Sequence, residues 1–178
     1  MFIRTERLFL RPAFPEDWRE VLAGIGNEAT VRNLARAPWP YREEDARGYC
    51  SRPLDAYAPS LLVTVPGVAG APVVGGCGYG PRDDSGEIEL GYWTAAEHRG
   101  KGYALEAARG VVELARMAGL DRIAAAHFED NPASGSVLRK LGFTPTGEVR
   151  ERFSAGRGAL APSIEFRLDL SESLARAA

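Results

Sequence analysis

The sequence predicts one domain, residues 1–178, of the α/β (α+β) class, with about seven strands and about four helices. Three observations predict it. The chain has 178 residues, with 45% hydrophobic and 26% charged, enough for one globular core and short for two. Its apolar residues switch between periods of two and about 3.6 in the order strand, two helices, three strands, helix, strand, helix, two strands. The unit from about 86 to 127 reads strand–helix–strand, a crossover that joins parallel neighbours, whereas short turns elsewhere favour antiparallel pairs. The sheet is therefore expected to be mixed and mostly antiparallel.

Element by element, "RLFLRPAF" (7–14) sets Leu8 and Leu10 on one face and Arg7 and Arg11 on the other, which is strand periodicity. "PEDWREVLAGIG" (15–26) reads as a helix, with Pro15 early, Glu16 and Asp17 at its positive end, and Gly24 or Gly26 to close it. In "LARAPWPYREEDARGYC" (34–50), Pro38 and Pro40 stop regular structure around Trp39, and a short second helix follows. That loop has two readings, a pocket wall carrying Trp39 and Tyr41 or a surface loop pinned by one Trp.

"LLVTV" (61–65) and "VVGGCGY" (73–79) read as an antiparallel strand pair joined by a turn-rich connector. In "EIELGYWT" (87–94), Ile88, Leu90 and Tyr92 share an apolar face, while Glu87, Glu89, Gly91 and Trp93 face something more polar than a core. From about 100 to 117 the pattern is helical, with Ala104, Ala108, Val111 and Ala115 on one side and Gly119 placed as C-terminal cap. "RIAAAHF" (122–128) is a strand. "NPASGSVLRKLGF" (131–143) is a helix with Asn131 as N-cap and Pro132 at its first position. "TPTGEVRERF" and "SIEFRLDL" supply the last two strands, and "SESLARAA" a fraying tail or short helix.

Several function classes drop out early. A net charge of −2 gives no bulk attraction for nucleic acid. No run approaches the roughly 18 apolar residues of a membrane span, and "MFIRTERLFLRP" carries charges where a signal peptide would be apolar. Cys50 and Cys77 show no metal or redox spacing, so no metal is expected and both are read as reduced thiols of a cytoplasmic protein.

"EHRGKGYALEA" (97–107) strips side chains just where a helix begins. The first turn of a helix carries unpartnered N–H groups and about half a positive charge. With Gly100, Gly102 and Ala104 small, an anion can reach that backbone, and Arg99 and Lys101 add charge at the rim. The spacing fits neither the P-loop, since no Ser or Thr follows Lys101, nor G-x-G-x-x-G, since Leu105 takes the last small position.

"RGKGYA" (99–104) resembles the Q/R-x-x-G-x-G/A signature of the GNAT superfamily of N-acetyltransferases, and "NPASGSVLRKLGF" resembles its second motif. "RTERLFLRPAFPEDW", "PWPYREEDARGY" and "EIELGYWTAAEHRGKGYALEA" resemble the RimJ/RimL-like branch, so the likeness runs from about residue 4 to 143. The resemblance implies a sheet with a V-shaped split and acetyl-CoA as co-substrate. Arg99, Gly100, Lys101, Gly102, Tyr103 and Ala104 would hold its diphosphate. Tyr92, Trp93 and Thr94 would pair with its pantetheine arm, with Asn131 and Ser134 beside it and a backbone N–H near Trp93 as oxyanion donor.

The implied reaction is direct attack by a primary amine, a protein N-terminus or a small molecule, on the thioester. Glu89, then Glu87, are the candidate bases on the polar face of their strand. His127, at the end of the next strand, is the rival base and a candidate pocket residue with Trp39 and Tyr41. Many members place a Tyr seven positions after the motif Asn. Leu138 stands there, so Ser134 is the available hydroxyl for the leaving thiolate or for binding. The alternative is a GNAT-like module that binds an acyl-CoA without chemistry. A monomer or homodimer is expected.

Overall fold

The computed structural model describes residues 1–67, 70–82 and 86–171. Its elements are β1 (Ile3–Arg4), β2 (Phe9–Pro12), α1 (Trp18–Ile25), α2 (Glu28–Val31), α3 (Glu43–Cys50), β3 (Ser60–Thr64), β4 (Val73–Pro81), β5 (Ile88–Thr94), α4 (Tyr103–Met117), β6 (Arg122–Phe128), α5 (Pro132–Lys140), β7 (Thr144–Ser154) and β8 (Ala159–Asp169). Eight strands form one sheet in the order β1-β2-β3-β4-β5-β6-β8-β7. The expected strands and four principal helices are all present. β1 and α2 are additional, and too short for any periodicity to show. Residues 172–178, read as a fraying tail or short helix, lie outside the described residues.

Period-two alternation decides which residues enter which layer. Leu90, Ile123, Ala125 and Phe166 face α4 and α5, where they join Ala107, Val111 and Leu138 in the larger core. Leu62 and Val73 face the other way, toward Val21 and Ile25 of α1 and Ala46 and Cys50 of α3. Cys50 and Cys77 are both buried and unpaired, in different clusters. Burial pushes the Cys50 thiol up to about 11 and Cys77 to about 12.

The 3-10 turn leading into α1 is anchored by a buried ion pair. Arg11 donates to both carboxylate oxygens of Asp17 at 2.6 and 2.8 Å, and the Phe14 amide donates to Oδ2 at 2.7 Å. Burial alone would push this carboxyl up. The Arg11 guanidinium and the Phe14 amide outweigh it and hold the carboxyl below 3.8, its ordinary value. Its stabilisation is therefore present above that value and fades as pH falls through the lower folded one. Asp17→Asn should cost about 2 kcal/mol at neutral pH, the worth of hydrogen bonds to a charged group. Urea midpoints of wild type and variant should converge as pH drops well below 3.8, the ordinary value. A gap independent of pH would contradict this.

Two features position the functional cleft. β5 and β6 run parallel but pair only at Glu89↔Ala124, and beyond that point they part. The expected V-shaped split is thus real and lies where β5 runs toward α4. The turn of the β7–β8 hairpin also docks on the segment after α2. The Ala155 amide donates to the Ala35 carbonyl at 2.9 Å, Ser154 Oγ to the Leu34 carbonyl at 2.9 Å, and Arg157 Nε to the Arg32 carbonyl at 2.7 Å.

Candidate active site

A cleft of about 1690 Å³ runs through the split. Its first wall is backbone. The Ala95 amide pairs with the Val74 carbonyl at 3.0 Å, so antiparallel alternation turns Trp93 toward Gly76 of β4. The next residues in the alternation, Tyr92 and Thr94, direct their N–H and C=O groups away from β4 into the split. Of the backbone N–H groups near Trp93, those facing the split thus belong to these neighbours and not to Trp93 itself. Trp93 instead packs its ring against α1 and β4. A Cβ on Gly24 would come within 2.9 Å of it, and one on Gly76 would come closer still.

The turn after β5 is the second wall. Gly100 and Gly102 have φ of +76° and +79°, left-handed values that side chains disfavour. Helix α4 starts at Tyr103, three residues later than the sequence pattern suggests, because Gly102 is its N-cap and carries no capping side chain. Among the described residues, nothing accepts a hydrogen bond from the amides of residues 100–105. A Cβ on Gly100 would meet nothing within 4 Å, and one on Gly102 only the Arg7 guanidinium at 3.4 Å. Open donors, a helix N-terminus and empty space coincide here, which suits a diphosphate.

The charged residues around that turn are partly engaged. Arg99 donates to Thr30 Oγ1 at 2.6 Å and so ties the turn to α2. Lys101 is exposed, with Nζ 3.3 Å from His98 Nδ1. Arg7 binds Glu106 and the Lys101 carbonyl and lies over the Tyr103 ring at 5.2 Å. Thr30 and Arg7 lie far from the signature in sequence, and no spacing marked them.

The third region is the polar face of β5. Glu89 is gripped by Arg152 of β7 through both oxygens, with Nη2 to Oε2 at 2.6 Å. Arg82 binds Glu165 of β8 bidentately at 2.5 and 2.7 Å and approaches Glu87 at 3.3 Å. The polar surroundings inferred for this face are these ion pairs. Glu165 is 4% exposed, and nothing in the alternation of "SIEFRLDL" distinguished a buried Glu from a solvated one.

Asn131 caps α5, its side chain accepting from the Ser134 amide at 3.4 Å, and both residues line the cleft. Leu138 is 1% exposed in the core and supplies no hydroxyl. Tyr41 lines the cleft, and burial pushes its phenol well up. Trp39 is a correction to the expected pocket. Between its two prolines it stays 41% exposed and is not part of the cleft wall. His127 lies on the α5 face of β6, opposite in parity to Ala124 and hence to Glu89. Its Nδ1 donates to the Phe128 carbonyl at 2.8 Å, and its ring packs 5.4 Å from Phe166, so it stands apart from the Glu89 side. Among the described residues, no three His, Cys, Asp or Glu side chains gather as metal ligands, and no helix is long and apolar enough to cross a membrane.

A family model described as an acetyltransferase (GNAT) domain matches residues 7–144. YjdG of Bacillus subtilis, named as an N-acetyltransferase, is 42% identical over 73 residues, covering 40% of this chain and 44% of that protein. The chain thus spans about half the length of the curated relatives it matches. A GNAT-family acetyltransferase structure from Bacillus anthracis superposes with a TM-score of 0.82 at 23% identity, covering 96% of this chain and 99% of that one. A structure named ribosomal-protein-S5-alanine acetyltransferase, from Vibrio fischeri, gives 0.76 at 18% identity over 97% and 98%.

Proposed function

Because the chain belongs to the acetyltransferase (GNAT) domain family, we propose that it transfers the acetyl group of acetyl-CoA directly to a primary amine, a protein N-terminal α-amine or that of a small molecule. One observation carries this reading: unpartnered amides on a glycine turn stand at the open end of a split sheet. Acetyl-CoA supplies a thioester carbonyl activated toward amines, and a diphosphate by which it is held.

The chain's own residues then have separable tasks. The amides of residues 100–105 bind the diphosphate, so a protein of net charge −2 holds a polyanion with backbone dipoles. The edge of Tyr92 and Thr94, where the Thr94 carbonyl also accepts from Arg99 Nε at 3.4 Å, aligns the extended arm, as an added strand would. One of their N–H groups, aimed at the carbonyl oxygen, is worth about 3 kcal/mol to the developing oxyanion.

Glu89, with Glu87 beside it, gives the acceptor end a negative edge that attracts an ammonium and takes up its proton, directly or through a water. Arg152 and Arg82 keep these carboxylates oriented. The demand on that base depends on the amine. At pH 7 deprotonation costs roughly 1–1.4 kcal/mol for an α-amine and about 4.6 for a lysine. An α-amine thus asks far less of the base. For this reason, and because of the neighbour named for the alanine of a ribosomal protein, a RimJ/RimL-like preference for peptide N-termini is the first to test. Tyr41 and Trp93 would pack against the acceptor.

A second reading, an acyl-CoA-binding module without chemistry, draws on Leu138 and on the Arg152 grip on Glu89. Acetyl-CoA, a thiol-trapping dye and a panel of peptides and amines separate the two. Transfer predicts free thiol released only with an acceptor, and slowed about 100-fold or more in Glu89→Gln, the range typical of a lost general base. Tight coenzyme binding with no release on any acceptor would favour the module.

A further inference from the structure

Tyr92 contributes a side chain as well as a backbone edge. Its hydroxyl lies 2.8 Å from Ser134 Oγ and 3.2 Å from the Ser134 carbonyl. Tyr92 belongs to β5 and Ser134 to the first turn of α5, so the contact crosses the split beyond the last β5–β6 pair. Both residues line the cleft. Leu138 is buried in the core, and Ser136, the other hydroxyl of α5 on the cleft, donates to the Pro132 carbonyl at 3.1 Å.

The geometry points to Tyr92 as a positioning residue that lets Ser134 donate to the sulfur of bound coenzyme A selectively when that sulfur is a thiolate. A hydroxyl has one hydrogen and two lone pairs. Two arrangements satisfy the observed distances. In the first, Ser134 donates to Tyr92 Oη and Tyr92 donates to the Ser134 carbonyl, and no hydrogen is aimed at the cleft. In the second, the phenol turns through the short arc from carbonyl to Oγ and donates there, and the Ser134 hydrogen is released to point into the split. A neutral thioester sulfur is a weak acceptor and leaves the first arrangement in place. An anionic sulfur forms a charge-assisted bond and draws out the second. Donation then grows with the charge on the leaving group, which is the differential stabilisation that accelerates a reaction. The Ser134 carbonyl loses little, since it also sits in the helical ladder of α5. Burial pushes the Tyr92 phenol up to about 12, so it keeps its hydrogen at neutral pH.

This inference rests on the coenzyme reading, and the test needs no acceptor. Coenzyme A is bound to wild type, Tyr92→Phe, Ser134→Ala and the double variant, and the thiolate ultraviolet absorbance is titrated with pH. Calorimetry gives the affinity of each variant for the protonated thiol form, so that every thiol pKa is read on fully bound coenzyme. Each single variant should raise the pKa of the bound thiol by about one unit, a tenfold loss of thiolate at a given pH. The double variant should raise it no further, since Tyr92 acts through Ser134. An unchanged thiol pKa in Tyr92→Phe, or a Tyr92→Phe effect that persists undiminished in the Ser134→Ala background, would overturn the inference. Should Tyr92→Phe lose its fold, Ser134→Ala alone carries the test, and an unchanged thiol pKa there overturns it equally. Wild-type protein that binds no coenzyme A would overturn the coenzyme reading itself, and this inference with it.

Discussion

Replacing Gly102 by Asp should raise the Kd for coenzyme A at least about 100-fold, some 2.7 kcal/mol. The new carboxylate enters the space in front of the amides of residues 100–105 and carries the wrong charge for a diphosphate. The fold should survive. A Cβ at Gly102 meets only the Arg7 guanidinium, at 3.4 Å, and an acidic residue at a helix start favours the helix dipole. The left-handed φ of +79° costs roughly 1–2 kcal/mol with a side chain. Gly119, at the other end of α4, provides the matched control. Its φ is +78° and a Cβ there meets nothing within 4 Å. Gly119→Asp should lose more melting temperature, since its carboxylate meets the negative end of the helix, yet keep wild-type affinity. Calorimetry giving equal coenzyme affinity for Gly102→Asp and wild type would remove the basis of the coenzyme assignment.

Arg82→Met should be the most damaging single change to stability among the polar residues discussed. It strands the Glu165 carboxylate, whose side chain is 5% exposed, between β6 and β7 without its two hydrogen bonds. Removing one partner of a buried pair typically costs about 3–5 kcal/mol. For a domain of this size that lowers the melting temperature by roughly 10 °C. Replacing both partners, as Arg82→Met with Glu165→Leu, should recover most of the loss, because no charge is then left buried. A single variant within about 1 kcal/mol of wild type would place this pair with solvated surface bridges.

Both predictions concern residues of very different visibility. Gly102 stood out from the sequence, because a helix start stripped of side chains is a local anomaly written in consecutive residues. Arg82 and Glu165 did not, because their burial follows from which strand lies beside which. The same contrast runs through the site. Asn131 as cap and Glu87 and Glu89 on one face of a strand follow from spacings of a few residues. The grip of Arg152 on Glu89, the tie from Arg99 to Thr30, the contact of Tyr92 with Ser134 and the outward position of Trp39 each depend on the packing of segments distant in sequence. Strand β1 and helix α2 escaped for another reason, since two and four residues cannot show a period.

By itself, then, the chain's order of residues determined the alternation of strands and helices, the parallel crossover and the glycine turn, all of which arise from backbone preferences within one or two turns of chain. Tertiary structure alone decided where β5 and β6 part, which charges pair across the sheet and which hydroxyls meet over the split. Those outcomes depend on contacts between residues 42 to 83 positions apart, where local periodicity carries no information and packing chooses the partner.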